Sequence, residues 1–211
     1  MPAAALVFAA YTLIVGPQFA RQDIRSDLGQ ADILKTYPLP GWQIVLGELL
    51  APIAILTGIL WLALLIVALA LLPGSGGPAW LTPGLHLAAT LGLAAIAPAL
   101  VALQLLVPNA AALLFPAWFQ VSRTRGGGPE VIGQRMIFFF AQLITMVVVL
   151  VPAGMMAAGL IFILQWLIGP FTAIALATVA VLVVLLAEIG CGVWWLGTRF
   201  ERFDCSSATS G

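Results

Sequence analysis

Long apolar runs alternate with short polar segments along this chain, and within each run no polar face recurs. A helix needs about 20 apolar residues to cross a bilayer whose hydrocarbon core is about 30 Å thick. The runs predict spans over residues 3–19, 44–72, 85–107, 136–168 and 171–197. The first is near the lower length limit for spanning, and the second is long enough to require tilt. Residues 73–78, rich in Pro and Gly, end the second span, and Gly169-Pro170 is the only turn signal between the last two. Those two should therefore form a tight hairpin. Pro108 and Asn109 predict a break after the third run; residues 110–121 either continue that helix or lie on the membrane surface. The expected fold is an all-α polytopic membrane helix bundle of about five spans plus a cytoplasmic amphipathic helix. It forms a single transmembrane domain over 1–204, with a disordered tail at 205–211.

Charge sharpens this picture. All eight basic residues fall in three segments, 21–35, 123–135 and 199–202. Glu48 is the only charge between residues 36 and 122, and Glu188 the only one between 136 and 198. Charged residues make up 8% of the chain, whereas a soluble domain carries about 25%. Two predicted spans separate each basic segment from the next, so all three share one side. The positive-inside rule makes that side cytoplasmic and puts the C-terminus inside. Most tryptophans then fall near an interface, and only Trp61 lies in mid-span. Five spans leave Met1 outside with no basic residue before Arg21. Either the first helix inserts without charge guidance or the chain is the downstream part of a longer protein, which we expect. A signal peptide is a poor fit, because its positive leading region is missing.

Residues 21–35 place Ile24, Leu28, Ala31 and Leu34 at helical spacing, and Asp23, Arg25 and Asp27 elsewhere on the wheel. Lys35 suits the last turn, and Pro38 and Pro40 stop the helix. This is a short amphipathic helix under the membrane, either a simple connector or a docking surface. The segment 122–135 contains Gly126, Gly127 and Gly128, but no Gly-Lys-Ser/Thr follows, so it is not a phosphate-binding loop.

Arg21-Gln22-Asp23-Ile24-Arg25-Ser26-Asp27-Leu28, then Leu34-Lys35-Thr36-Tyr37-Pro38-Leu39, then Gly47-Glu48-Leu49-Leu50-Ala51-Pro52, resemble the ABC exporter family of membrane proteins, relatives of the ABC-2 type permeases. The stretch from Leu114-Phe115-Pro116-Ala117-Trp118 to Gly133-Gln134-Arg135 is similar to the same family. The resemblance implies a permease subunit in the plasma membrane of a bacterium, energised by a separate ABC ATPase. Its docking helix would be 21–35, with Arg21, Asp23, Arg25, Asp27 and Lys35 as coupling residues. It also implies a second permease half, either another copy or an upstream part of a longer chain. Permeases of this type have six spans with both termini inside. Loss of one upstream helix accounts for the difference.

The remaining chemistry is sparse. An acid inside an apolar run is costly and is a functional candidate by default. Glu48 lies close enough to Pro40 to reach the interface. Glu188 is deeper, and serves either a helix–helix hydrogen bond or a transport pathway. A secondary transporter or channel using Glu188, perhaps with Glu48, is thus an alternative. Cys191, Cys205 and the lone His86 lack metal-ligand spacing, so no metal, cofactor or disulfide is expected. No Ser–His pair suited to intramembrane hydrolysis is present, and an enzyme is not expected. Zero net charge removes any argument for nucleic acid. A passive scaffold for a cytoplasmic partner stays open. Small-residue pairs at Ala88/Gly92, Gly154/Ala158 and Ala187/Cys191 permit close helix approach.

Overall fold

The structure, a computed structural model, describes residues 2–19, 36, 38–70, 82–114 and 129–202. It is an all-α membrane helix bundle, with no strand among the described residues. The helices are α1 (Pro2–Phe19), α2 (Gly41–Ala70), α3 (Pro83–Leu114), α4 (Pro129–Ile168) and α5 (Pro170–Glu201). Helices are the expected solution, because in lipid each backbone N–H and C=O must be satisfied within its own segment. Three of the long helices begin on a proline, whose missing N–H costs nothing in a first turn.

Four helices are long and apolar enough to cross a membrane, namely α2, α3, the Phe139–Ile168 part of α4, and α5. The fifth expected span is α1, apolar but only 18 residues long, or about 27 Å. The expected amphipathic helix at 21–35 and the tail at 205–211 lie outside the described residues. α4 begins seven residues before the predicted 136, taking in part of the glycine-containing polar segment.

The break expected at Pro108 and Asn109 does not occur. α3 runs through both Pro98 and Pro108 to Leu114. A proline inside a helix frees the carbonyl four residues earlier, and in lipid the helix persists only if neighbouring groups satisfy the disturbed turn. At Pro108 the freed carbonyl is that of Gln104; beside it, in the same turn, the buried Asn109 donates its Nδ2 to the Leu105 carbonyl at 2.7 Å. At Pro98 the freed carbonyl is that of Ala94. Trp61 of α2 donates its indole N–H to it at 2.8 Å. The one tryptophan in mid-span therefore has a backbone partner on the next helix.

α3 is the most enclosed span and α4 the least. α5 packs against α2, α3 and α4, and α1 leans on α2. One buried cluster joins α2, α3 and α5 through residues such as Leu49, Leu105 and Leu196. A second joins α3, α4 and α5 through Ala99, Ala153, Val181 and Leu185. Gly169, at φ 86°, turns α4 into α5, a conformation that a Cβ would strain.

At one end, α2 and α5 are locked together. The Gly41 N–H donates to Glu201 Oε1 at 2.7 Å. A Cβ on Gly41 would lie 2.4 Å from the Gly197 carbonyl, and one on Gly197 would lie 2.4 Å from the Trp42 nitrogen. Only glycines allow this approach. A carboxylate in the last turn of its own helix opposes that helix's dipole. Glu201 instead serves the positive N-terminus of α2, where an acid is favourable. Two residues earlier, the Arg199 guanidinium stands over the Trp195 ring, 5.3 Å from its centroid.

Candidate functional site

Of the residues expected to carry function, Arg21, Asp23, Arg25, Asp27 and Lys35 lie outside the described residues. Glu48 is half-buried on α2, seven residues from its start and so about 10 Å from the end marked by Gly41. Glu188 is half-buried on α5, and its Oε2 is enclosed with no hydrogen-bond partner. The two acids sit on different helices, and Glu48 is shallower.

The depth of Glu188 follows from helix register. A Cβ on Gly92 would lie 2.7 Å from Thr178 Oγ1, and one on Gly192 would lie 2.8 Å from Leu106 Cδ1. Both contacts pair an α3 residue with the α5 residue 86 positions later, so α3 and α5 run parallel and in step. Glu188 is therefore level with Ala102. Gln104 lies about 3 Å nearer the Glu201 end.

Gln104 is buried and faces α4, where Gln142, also buried, donates Nε2 to Gln104 Oε1 at 2.6 Å. Gln104 Nε2 in turn contacts Met146 Sδ. Beside this pair a small cleft, with room for little more than a water molecule, opens between α3 and α4. Leu100, Leu103 and Val107 form one wall, and Thr145, Val149 and Leu150 the other.

Helical periodicity fixes the face that carries Glu188. Val184 and Leu185 pack in the cluster shared by α3, α4 and α5. Glu188 follows them by four and three residues, so it occupies the same face one turn nearer the Glu201 end. Leu100, Leu103 and Leu150 belong both to that cluster and to the cleft wall. The carboxylate thus lies near the depth of the two amides, on a helix that packs against both α3 and α4.

Among the described residues, no group of three His, Cys, Asp or Glu could hold a metal ion. His86 lies in the first turn of α3, far from the junction, with its Nε2 enclosed and unpartnered. Of the small-residue pairs, Ala88/Gly92 is the one used in packing, while Gly154, Ala158, Ala187 and Cys191 are exposed. Sequence reasoning weighed the acids in the apolar runs and passed over the glutamines. Gln104 and Gln142 were detectable by the same rule, since an amide in lipid also needs a partner.

Compared with known proteins, the chain matches no family model, no curated protein and no solved structure.

Proposed function

We propose that this chain is a membrane-spanning permease subunit of an ABC-type exporter, powered by a separate ATPase that docks on residues 21–35. One observation carries most weight: the helix ends that flank the charged segments converge on one end of the bundle. The Gly41–Glu201 hydrogen bond sets the start of α2 beside the end of α5. The register of α3 with α5 brings the end of α3 to the same side, and the Gly169 hairpin brings the start of α4 there too. The start of α2, the end of α3, the start of α4 and the end of α5 therefore share one face. Positive-inside makes that face cytoplasmic. It offers a single platform for an ATPase, and the sequence resemblance supplies the identity of that partner. Closure of an ATPase pair would move the 21–35 segment, and Gly41 would pass that movement to α5 as a rigid-body shift.

The reading is tested by purifying the tagged chain from its native membranes and identifying what accompanies it. An ATPase with a Walker A motif should co-purify, and charge reversal at Arg25 or Asp27 should release it while the chain stays folded. Unchanged capture by those variants removes the docking role. Absence of any such ATPase removes the permease reading.

A second reading rests on the enclosed Glu188 oxygen. A secondary transporter or channel would use this carboxylate as a proton or cation site. It requires ion-coupled flux in liposomes without an ATPase, and loss of that flux in Glu188→Gln.

A further inference from the structure

We propose that the first half of α4, residues 129–151, is a lateral gate, hinged at Pro152 and latched to α3 by the Gln142–Gln104 bond. This goes beyond both readings above: each requires a helix that moves, and neither names it. The argument begins with how unevenly α4 is held. It packs broadly on α5 and only lightly on α3. Its apolar anchors are Leu150, Ala153 and Ala157, which enter the cluster shared with Val181 and Leu185 of α5. No residue of α4 before Leu150 enters either buried cluster. Among the described side chains from residue 129 to 152, only that of Gln142 is buried. The first half of the helix is thus held by a polar contact, and the second by apolar packing and the Gly169 turn.

The boundary between the halves falls at a proline. Pro152 has no N–H for the Val148 carbonyl, so α4 lacks one bond of its ladder there. At Pro98 the corresponding carbonyl is tied to α2 by Trp61. Pro152 and Val148 instead lie on the exposed side of α4. Prolines are where helices bend, and a kink of about 20° is ordinary. Gln142 is ten residues from Pro152, about 15 Å, so such a bend carries it about 5 Å and breaks its 2.6 Å bond. Equal counts on either side of Gly169 put the end of α5 level with Ile137, so α4 reaches about 12 Å beyond it. That overhang is a lever for any partner at this end of the bundle.

The seam that would open is already loosely filled. The small cleft beside the amide pair lies on it, a gap that close-packed helices seldom leave. Leu103 and Val107 of α3 face Thr145 and Val149 of α4 across it. On its far side α4 exposes Ile144, Val147 and Val151, as a surface against lipid does. An outward swing therefore opens the seam to the bilayer and admits what is dissolved there. The two amides, released from each other, become its hydrogen-bonding groups.

The test is pulsed double electron–electron resonance on the purified chain in lipid nanodiscs, with Cys191 and Cys205 replaced by serine. Nitroxide labels at Gly133→Cys and Gly47→Cys report the first half of α4. Labels at Gly159→Cys and Gly84→Cys report the second. A Cβ at any of these four glycines meets nothing within 4 Å, so each accepts a label. With the latch intact, each pair should give one main distance. Gly133 is about 28 Å from Pro152, so Gln142→Leu should add a distance longer by about 10 Å at the first pair. The second pair should not change. Pro152→Ala restores the missing N–H and, combined with Gln142→Leu, should suppress the added distance. A first pair unmoved by Gln142→Leu overturns the latch. If the second pair lengthens too, α4 leaves as a whole and the hinge is overturned; so it is if the added distance survives Pro152→Ala. A label at Val107→Cys, on the α3 wall, reads the direction of opening. With Gln142→Leu its collisions with oxygen, which dissolves in lipid, should increase, and an increase with a water-soluble nickel chelate alone overturns a lateral opening. None of these readings needs an ATPase. A gate with no co-purifying ATPase removes only the permease reading, and an ATPase with no gate removes only this proposal.

Discussion

Replacing Trp61 with Phe should expose the carbonyl that Pro98 leaves open. The indole N–H lies 2.8 Å from the Ala94 oxygen, and Pro98, four residues on, has no N–H to offer that oxygen. A bare carbonyl in hydrocarbon costs several kcal/mol before relaxation. Interhelical hydrogen bonds measured in bilayer proteins average about 0.6 kcal/mol and reach about 1.7. The upper end applies here, because the usual competing donor is missing; we expect a loss of about 1.5 kcal/mol, roughly a tenfold fall in the folding constant. Packing confuses this little, since Trp61 is 52% exposed, and the remainder is removed by a double-mutant cycle. In Pro98→Ala the alanine N–H bonds Ala94 itself. Trp61→Phe should then cost only its lost contact area. Reversible unfolding in mixed detergent micelles, followed by tryptophan emission from the remaining residues, measures all four proteins. A coupling of about 1 kcal/mol supports the argument, and a coupling below about 0.3 kcal/mol refutes it, because additivity then holds within error.

Gly41→Ala and Gly197→Ala each force backbone apart and should cost at least about 1–3 kcal/mol, whereas Gly154→Ala and Gly159→Ala meet open space and should be neutral or stabilising in thermal melts. Glu201→Ala leaves the start of α2 uncapped and should lower stability by about 1 kcal/mol in the same melts. Gln104→Leu or Gln142→Leu strands one buried amide, so each single change should destabilise more than half as much as expected from the pair; the double variant should recover part of the loss. In a background free of native cysteines, Thr82→Cys and Gly133→Cys should label from opposite sides of sealed vesicles, and labelling from the same side would overturn the parity of the helices.

The spans were legible because the hydrophobic requirement acts on whole segments, and each long run became a helix within about seven residues of its expected bounds. The hairpin was legible because Gly169 and Pro170 encode their own backbone angles. Pro108 misled, because inside a membrane bundle a helix can run on through a proline, as α3 does through both Pro98 and Pro108. Trp61 stood out as misplaced, but its partner belongs to another helix and could not be named. The Gln104–Gln142 bond and the capping of Gly41 by Glu201 were illegible for the same reason: each pairs distant positions, and depth in the membrane does not reveal azimuth. Glu188 was visible as an anomaly. Only the register set by Gly92 and Gly192 brought it level with the amides.

The contact between Gly41 and Glu201 spans 160 positions of sequence, and it bears on how the bundle is made. At about 5–20 residues per second, Glu201 emerges from the ribosome some 8–32 s after Gly41. Through the later part of that interval α2 and α3 are both in the bilayer without the helix that both of them pack against. Lipid, or a membrane-embedded chaperone, has to occupy that place and then give it up. The last helix in the series is thus the one that closes the structure, and a nascent chain halted before it would be open to surveillance proteases that read unsatisfied polar groups within the membrane.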